Sequence, residues 1–289
     1  MMDKISSGTV AGLVAFVLSL ALLLAGCSAP KKPARLPTDE RPHVKVMTYN
    51  VNYGLAGDPA TLAAIGEPWA DIVALQETTA KWESAIVDSL GHRYPHRAFR
   101  HCCGAGGLGV LSRYPWQEEE ILEASAGWFP AWRLVIDTPL GPLQILNVHL
   151  RPPVSESGSV VSGYFSTPPI REREIEGFVQ SLDPDLPTLV VGDFNENAGG
   201  RAITLLRAAG FATALEQFDV PQQTWHWNTS AGTVTAQLDH LVHDQRLDPL
   251  DVRALPLGRS DHWPVVGTFE LRAASLVAGG ADSPDSISP

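Results

Sequence analysis

Residues 188–195 read Thr-Leu-Val-Val-Gly-Asp-Phe-Asn. A short apolar run that stops at polar turn formers reads as a buried strand and is too short for a helix. A core strand gains no packing from ending in Asp193 and Asn195, so those residues serve either a turn or chemistry. The pattern recurs outward from this stretch. Val-Met-Thr-Tyr ends in Asn50, and Asp71-Ile-Val-Ala-Leu-Gln ends in Glu77. Leu-Gln-Ile-Leu-Asn-Val ends in His149, Gln-Leu precedes Asp239-His240, and Gly-Arg-Ser precedes Asp261-His262. Each alone reads as a hydrogen-bonded turn or cap. Together they imply strand ends that converge at one sheet edge.

Strands are expected over 44–51, 72–76, 109–112, 133–137, 143–149, 188–192, 238–242 and 265–271. Between them, apolar residues recur with the helical period. Leu62, Ile65 and Trp69 share one face, as do Trp82, Ala85, Ile86 and Leu90. Ile175, Phe178, Val179 and Leu182 form a third face. Ala202, Leu205, Leu206 and Ala209 form a fourth, closed by Gly210 as a helix C-terminal cap. Thr-Pro-Leu-Gly-Pro joins two strands as a hairpin, so the sheets are mixed, with helices covering them. The 289 residues are 44% hydrophobic and 18% charged, enough for a sizeable core in one large α/β domain or two small ones. The 21 basic and 32 acidic residues leave a net charge of -11, and only five of the basic residues are Lys. That balance argues against nucleic-acid binding driven by counterion release alone. It leaves room for a locally basic site.

The ends of the chain read differently. Lys4 precedes an apolar run over Val10–Leu24, which is short of the ~20 residues a spanning helix needs and suits a signal-peptide core. Leu24-Ala25-Gly26-Cys27 resembles the bacterial lipobox, whose Cys is acylated. The expected organisation is a lipoprotein-type signal peptide over 1–26 and a lipidated Cys27 opening a Pro-rich tether over 27–42. A folded domain follows over 43–272, then a disordered tail over 273–289. The expected location is the cell envelope, lipid-anchored to a bacterial membrane and facing the periplasm or exterior. An ordinary signal cut near Ala29, or an uncleaved anchor, is the alternative. Acyl chains contribute roughly 0.8 kcal/mol per buried CH₂, so two or three hold a protein firmly. Cys102 and Cys103 are adjacent, with Cα atoms about 3.8 Å apart, below the usual disulfide range. They read as partly buried thiols.

If the polar strand ends converge, Asn50 and Glu77 offer hard oxygen donors suited to Mg²⁺ or Mn²⁺. Asp239 and His262 form a carboxylate–imidazole pair. Asp193 and Asn195 hold and polarise a water, and His149 donates to a phosphate oxygen. These are the parts of metal-assisted phosphoester hydrolysis. The stretches TYNV (48–51), DIVALQET (71–78), GVLSRYP (109–115), NVHL (147–150), VVGDFN (190–195), QLDHLV (237–242) and SDHWPV (260–265) resemble the endonuclease/exonuclease/phosphatase superfamily. The resemblance implies a four-layer α/β sandwich, two mixed β-sheets packed face to face with helices on the outer faces. It implies a divalent metal on Asn50 and Glu77, with Asp261 as a further ligand. It also implies catalytic roles for His149, Asp193, Asn195, Asp239 and His262, with either Asp193 or His262 taking the proton.

Substrate is less legible. His92–His101 (HRYPHRAFRH) makes Arg93, Arg97 and Arg100 candidate phosphate contacts, against the alternative of a solvated strand and turn. Arg151–Ile170 forms a long loop directly after His149, placed to act as a lid. Trp128, Phe129, Trp132, Trp225, Trp227 and Trp263 are available for stacking, for a lipid interface or for the core. The expected function is an exported, membrane-tethered, metal-dependent phosphodiesterase of nuclease type. A phospholipid, sphingolipid or inositol-phosphate phosphoesterase is the alternative, and a non-catalytic binding module is disfavoured. The expected partners are a phosphoester substrate and a membrane, with the chain a monomer.

Overall fold

Side-chain alternation along the central strands sorts the apolar residues into three cores and so fixes the layers. The structure is a computed structural model that describes residues 30–230 and 232–273. In chain order the elements are β1 (Val44–Asn50), α1 (Pro59–Gly66), β2 (Ile72–Gln76), α2 (Ala80–Leu90), β3 (His96–Arg100), β4 (Leu108–Ser112) and β5 (Trp116–Leu122). Then come β6 (Ala131–Thr138), β7 (Gly141–His149), α3 (Val160–Ser166), α4 (Pro168–Val179), β8 (Thr188–Asp193) and α5 (Arg201–Ala208). The chain continues through β9 (Ala212–Thr213), β10 (Trp225–Thr229), β11 (Gly232–Ala236), β12 (Asp239–His243), β13 (Leu247–Ala254) and β14 (Val265–Leu271).

One six-stranded sheet has the order β13-β14-β1-β2-β4-β3, and the other β5-β6-β7-β8-β12-β9. Both are mixed, as expected. Each contains one parallel pair, β1–β2 and β7–β8, whose crossovers carry helices. Val46, Ile72, Ala74, Ile145, Leu189, Val191 and Leu241 meet between the sheets. The next residue along each strand points outward. Met47, Val73 and Leu75 pack against Ile65, Trp82 and Ile86 of α1 and α2. Val148 and Val190 pack against Ile175, Phe178, Ile203 and Leu206 of α4 and α5. The result is the four-layer sandwich. Burying each such side chain contributes about 1.5–3 kcal/mol.

Helix starts are capped as the chemistry requires. The Asp58 carboxylate accepts from Thr61 N, the Thr79 hydroxyl from Trp82 N and the Ser159 hydroxyl from Ser162 N. Gly210 closes α5 with φ 91°, a left-handed angle glycine adopts without strain. Trp69, expected on the face of the first helix, lies beyond its end with φ 53° and is exposed. Polar side chains join the two sheets beneath their parallel pairs. Gln76 Nε2 donates to Asn147 Oδ1 (2.7 Å), and Asn147 Nδ2 donates to the Leu75 carbonyl (3.1 Å).

Residues 1–26, Cys27 and the tail beyond residue 273 lie outside the described residues. Of the Pro-rich tether expected over 27–42, the described part contacts the domain as a strap from Lys32 onward. Lys32 N donates to the Gln217 carbonyl and Arg35 N to the Leu250 carbonyl. Lys32 and Arg35 both pair with Asp248 (2.7 and 2.6 Å), and Arg41 pairs with the buried Glu270 (3.0 Å). The strap's basic residues find two carboxylates on β13 and β14, which a reading of composition alone does not anticipate. Among the described residues no helix is long and apolar enough to cross a membrane.

Candidate active site

Parallel pairing sets the site. In the second sheet His149 of β7 is level with Asp193 of β8, and Asp193 is level with Asp239 of β12. These three residues therefore stand abreast. In the first sheet β1 ends in Asn50 level with Gln76, and Glu77 follows. The two rows face each other across the gap, and Asp193 is their meeting point. Asn50 Nδ2 donates to Glu77 Oε1 (3.0 Å) and to Asp193 Oδ2 (3.1 Å). His149 Nε2 and His262 Nε2 each lie 3.6 Å from the same Asp193 oxygen.

Each side chain is held from behind. His149 Nδ1 donates to the Ala105 carbonyl (3.1 Å), which turns Nε2 toward the site, and Phe129 lies 4.7 Å from its ring. His262 Nδ1 donates to Asp239 Oδ2 (2.9 Å), and that oxygen also accepts from Thr224 Oγ1 (2.7 Å). Asp239 is fully buried, and burial raises its carboxyl above the ordinary range, while the His262 ring and Thr224 pull it back. Burial likewise opposes charge on His262, but the carboxylates of Asp239, Asp193 and Asp261 outweigh it and hold the ring protonated well above its ordinary value. Asp261 accepts from Asn52 Nδ2 (2.9 Å) and Trp225 Nε1 (3.0 Å). Burial works against its charge, yet His262, Asn52 and Trp225 keep the carboxyl below the usual range. Asn195 has φ 52°, its backbone N–H donates to Asp193 Oδ1 (2.8 Å), and its amide nitrogen donates to the Leu150 carbonyl (3.0 Å).

The donor set suits a hard divalent cation. Two carboxylates, Glu77 and Asp193, flank the Asn50 amide nitrogen, and the Asn50 amide oxygen, which accepts from Asn52 N (3.1 Å), is the hard donor that residue would offer. Donor atoms of Asp193, Asp239 and His262 also lie within 4.8 Å of one another. In that second cluster Asp239 Oδ2 is already used by Thr224 Oγ1 and His262 Nδ1. The Asn50–Glu77 side is therefore the better fit.

The residue profile of the Endonuclease/Exonuclease/phosphatase family matches residues 47–262. The chain belongs to that family. It is a divalent-metal-dependent hydrolase of phosphoester bonds, as the family's members are. No curated protein sequence matches it. Solved structures do. An endonuclease/exonuclease/phosphatase from Beutenbergia cavernae is 19% identical with a TM-score of 0.64, covering 80% of this chain and 72% of that one. D. rerio TDP2 complexed with single-strand DNA product is 17% identical with a TM-score of 0.60, covering 79% and 99%. The human Nocturnin catalytic domain with bound sulfate is 17% identical with a TM-score of 0.59, covering 82% and 97%. At these identities the likeness establishes the fold.

Within this family fold, Asn50, Glu77, His149, Asp193, Asn195, Asp239, Asp261 and His262 all come together. The three arginines do not. Arg93 lies over the Trp69 ring at 3.6 Å, and Arg97 donates to the Tyr94 carbonyl, both toward the far end of the strands. Arg100 is level with Leu108 and Gln76, nearer the site, but on the edge strand and paired with Glu119 (2.7 Å). Of the three only Arg100 meets a carboxylate, and strand alternation sends Arg97 and Arg100 to opposite faces of β3. The sequence reading missed Asn52, Thr224 and the Ala105 carbonyl. Only Asn52 left a trace, as a second Asn two positions after Asn50. The loop after His149 folds in part into α3, whose Val160, Val161, Tyr164 and Phe165 are exposed. Cys102 and Cys103 are free thiols; burial and its Cys103 neighbour push Cys102 up to about 11.

Proposed function

We propose that the chain is an exported phosphodiesterase of nuclease type, held to a bacterial membrane through Cys27. The observation that carries the catalytic reading is the junction at Asp193 Oδ2. There Asn50 Nδ2 donates from one side (3.1 Å), and from the other His149 Nε2 and the Asp239-braced His262 Nε2 stand at 3.6 Å. Mg²⁺ or Mn²⁺, held by Asn50 and Glu77 with Asp261 nearby, would supply charge neutralisation at the scissile phosphate.

The chain's own residues do the rest. Asp193 Oδ2 accepts the proton of the attacking water, while the Asn195 backbone N–H holds Oδ1 and so fixes the carboxylate plane. The water oxygen forms the new P–O bond as the bond to the leaving oxygen breaks. His262, charged and braced by Asp239, donates to a phosphate oxygen. His149, its Nδ1–H held by Ala105, acts in its doubly protonated form and gives the Nε2 proton to the leaving oxygen as charge develops there. The assignment of Asp193 as base follows from the carboxylates that keep His262 protonated.

The DNA product bound to the similar TDP2 supports a nucleic-acid substrate. A lipid head group is the second reading, favoured by the exposed apolar side chains of α3 in the segment that follows His149. Supercoiled plasmid, bis-p-nitrophenyl phosphate and sphingomyelin, each tested with Mg²⁺ or Mn²⁺, separate the two. Metal-dependent nicking that Glu77→Ala abolishes is expected. Release of only a lipid head group would replace the nuclease reading, and full activity in excess chelator would remove the metal assignment.

A further inference from the structure

We infer that Cys102 and Cys103 form a binding site for trivalent arsenic, a vicinal dithiol whose occupation withdraws His149 from the reaction. The site lies outside the hydrolytic reading above and meets it only at His149.

Both thiols are free, and Cys103 is exposed. They follow β3 and open the turn Gly104–Gly106. Their sulfurs face one point. A methyl added to Gly106 would lie 3.2 Å from Cys102 Sγ and 3.2 Å from Cys103 Sγ, so less than twice that distance separates the two. The thiols also hydrogen-bond to each other. A disulfide does not fit the pair, because adjacent Cα atoms about 3.8 Å apart are too close for one. Zinc does not fit either, since a structural site takes four ligands. Among the described residues no third His, Cys or carboxylate completes a cluster with the two thiols, and the neighbouring His101 is taken by Glu83 (2.6 Å). What fits is a soft centre satisfied by two thiolates. Mercuric ion takes two sulfurs from opposite sides, in a line. Trivalent arsenic is pyramidal and takes both from one side, as they stand here facing Gly106.

The bonds balance without an oxidant. With a monosubstituted arsenous oxide, two S–H bonds and the As=O bond break, two S–As bonds form, and the oxygen leaves as water. The exposed Cys103 adds first, and Cys102 closes the ring.

The same turn carries the supports of His149. The Ala105 carbonyl accepts from His149 Nδ1 (3.1 Å). Phe129, 4.7 Å from the His149 ring, packs on Gly106 as well, and the added methyl would meet its Cδ1 at 2.6 Å. Cys103 Sγ lies 4.0 Å from the carbonyl of Trp128, the residue before Phe129. An arsenic bonded to both sulfurs sits against Gly106, in space that the Phe129 ring and the turn already fill. Its entry displaces the carbonyl and the ring that aim His149 Nε2 at Asp193.

The test uses the full chain and phenylarsine oxide. Intact-protein mass should show one adduct per chain. The adduct should persist in Cys27→Ser, be lost in Cys102→Ser and in Cys103→Ser, and be removed by 2,3-dimercaptopropanol but not by 2-mercaptoethanol. With Mg²⁺ or Mn²⁺ present, the adduct should lower kcat on bis-p-nitrophenyl phosphate by up to roughly 10²-fold with KM nearly unchanged. Cys102→Ser and Cys103→Ser should be insensitive to the arsenical. The His149 Nδ1–H proton resonance, identified by its loss in His149→Gln, should shift on binding and so report the coupling without turnover. No adduct, or an adduct that survives in Cys102→Ser, overturns the site. An adduct that leaves both kcat and the His149 resonance unchanged overturns its link to His149. A chain that cleaves no diester, yet forms the adduct and shifts the resonance, supports the site and counts against the hydrolytic reading alone.

Discussion

At the mouth of the site, Asn52, Glu77 and Asn195 hold left-handed backbone angles of 60°, 61° and 52°. At the strap end the described residues contain one such non-glycine residue, Trp69, under the Arg93 guanidinium. At the mouth the buried carboxylates Asp193 and Asp239 face amide and imidazole side chains. At the strap end, Asp248 and the buried Glu270 meet partly exposed lysine and arginine in ordinary strand geometry. Backbone strain of about 1–3 kcal/mol per residue therefore collects where carboxylates must be aimed. The other end spends its charges on fastening.

The contrast can be broken or sharpened by measurement. The largest effect belongs to the junction itself. Alanine at Glu77, Asp193 or His262 should lower kcat by roughly 10²–10⁴-fold with a nearly unchanged urea midpoint. A variant that keeps its rate removes that residue from the mechanism. Next comes Gly192, one residue before Asp193, with φ 144° and with space for no Cβ. An added methyl would lie 1.9 Å from the Val148 carbonyl oxygen. Gly192→Ala should destabilise the fold by about 3 kcal/mol and displace Asp193, so urea unfolding and turnover should fail together.

Acid separates the interior from both ends. Burial pushes His240 and His243 down to about 4, so both are neutral in the fold, whereas the unfolded chain takes up protons below about 6.5. Their contribution is complete above pH 6.5 and is lost as pH falls toward 4, by up to roughly 3 kcal/mol each. Glu174 acts in the opposite sense. Burial pushes its carboxyl up to about 7, so its contribution is complete below its ordinary 4.5 and is lost as pH rises through 7. Unfolding midpoints measured from pH 7 to 4 should fall, and Glu174→Gln should steepen the fall.

Smaller effects address strain and fastening directly. Glu77→Gly should abolish turnover while raising stability by about 0.5–1 kcal/mol, because glycine accepts φ 61° without cost. No gain in the urea midpoint would show that the turn is unstrained. Asp248→Asn should cost up to about 1 kcal/mol at low salt and almost nothing at high salt, with kcat unchanged.

The central strands were legible because burial on both faces writes continuous apolar runs, as in β2 and β8. The edges were not. β5 reads Trp-Gln-Glu-Glu-Glu-Ile-Leu, and its strand state comes from pairing with β6, which no local pattern encodes. The β10–β11 hairpin and β13 were missed for the same reason. The site residues showed themselves as polar endings to apolar runs, so pairing brought them together once the strands aligned. Their supports did not. Thr224 sits in a loop and reaches Asp239 only through the tertiary fold. The arginine-rich stretch was open between two readings because its density along the chain says nothing of direction, and β3 alternates.

The contact between Gln76 and Asn147 has a consequence for descent. One residue directly precedes Glu77 and the other lies two before His149, and each satisfies a buried group of the other. Apolar replacement of Gln76 leaves the buried Asn147 Oδ1 without its donor, and apolar replacement of Asn147 leaves Gln76 with Thr48 alone across the strands and strips the bonds to the Leu75 and Gly109 carbonyls. Change at these two positions should therefore be inherited as a pair, and lineages that keep the reaction should differ at both or at neither.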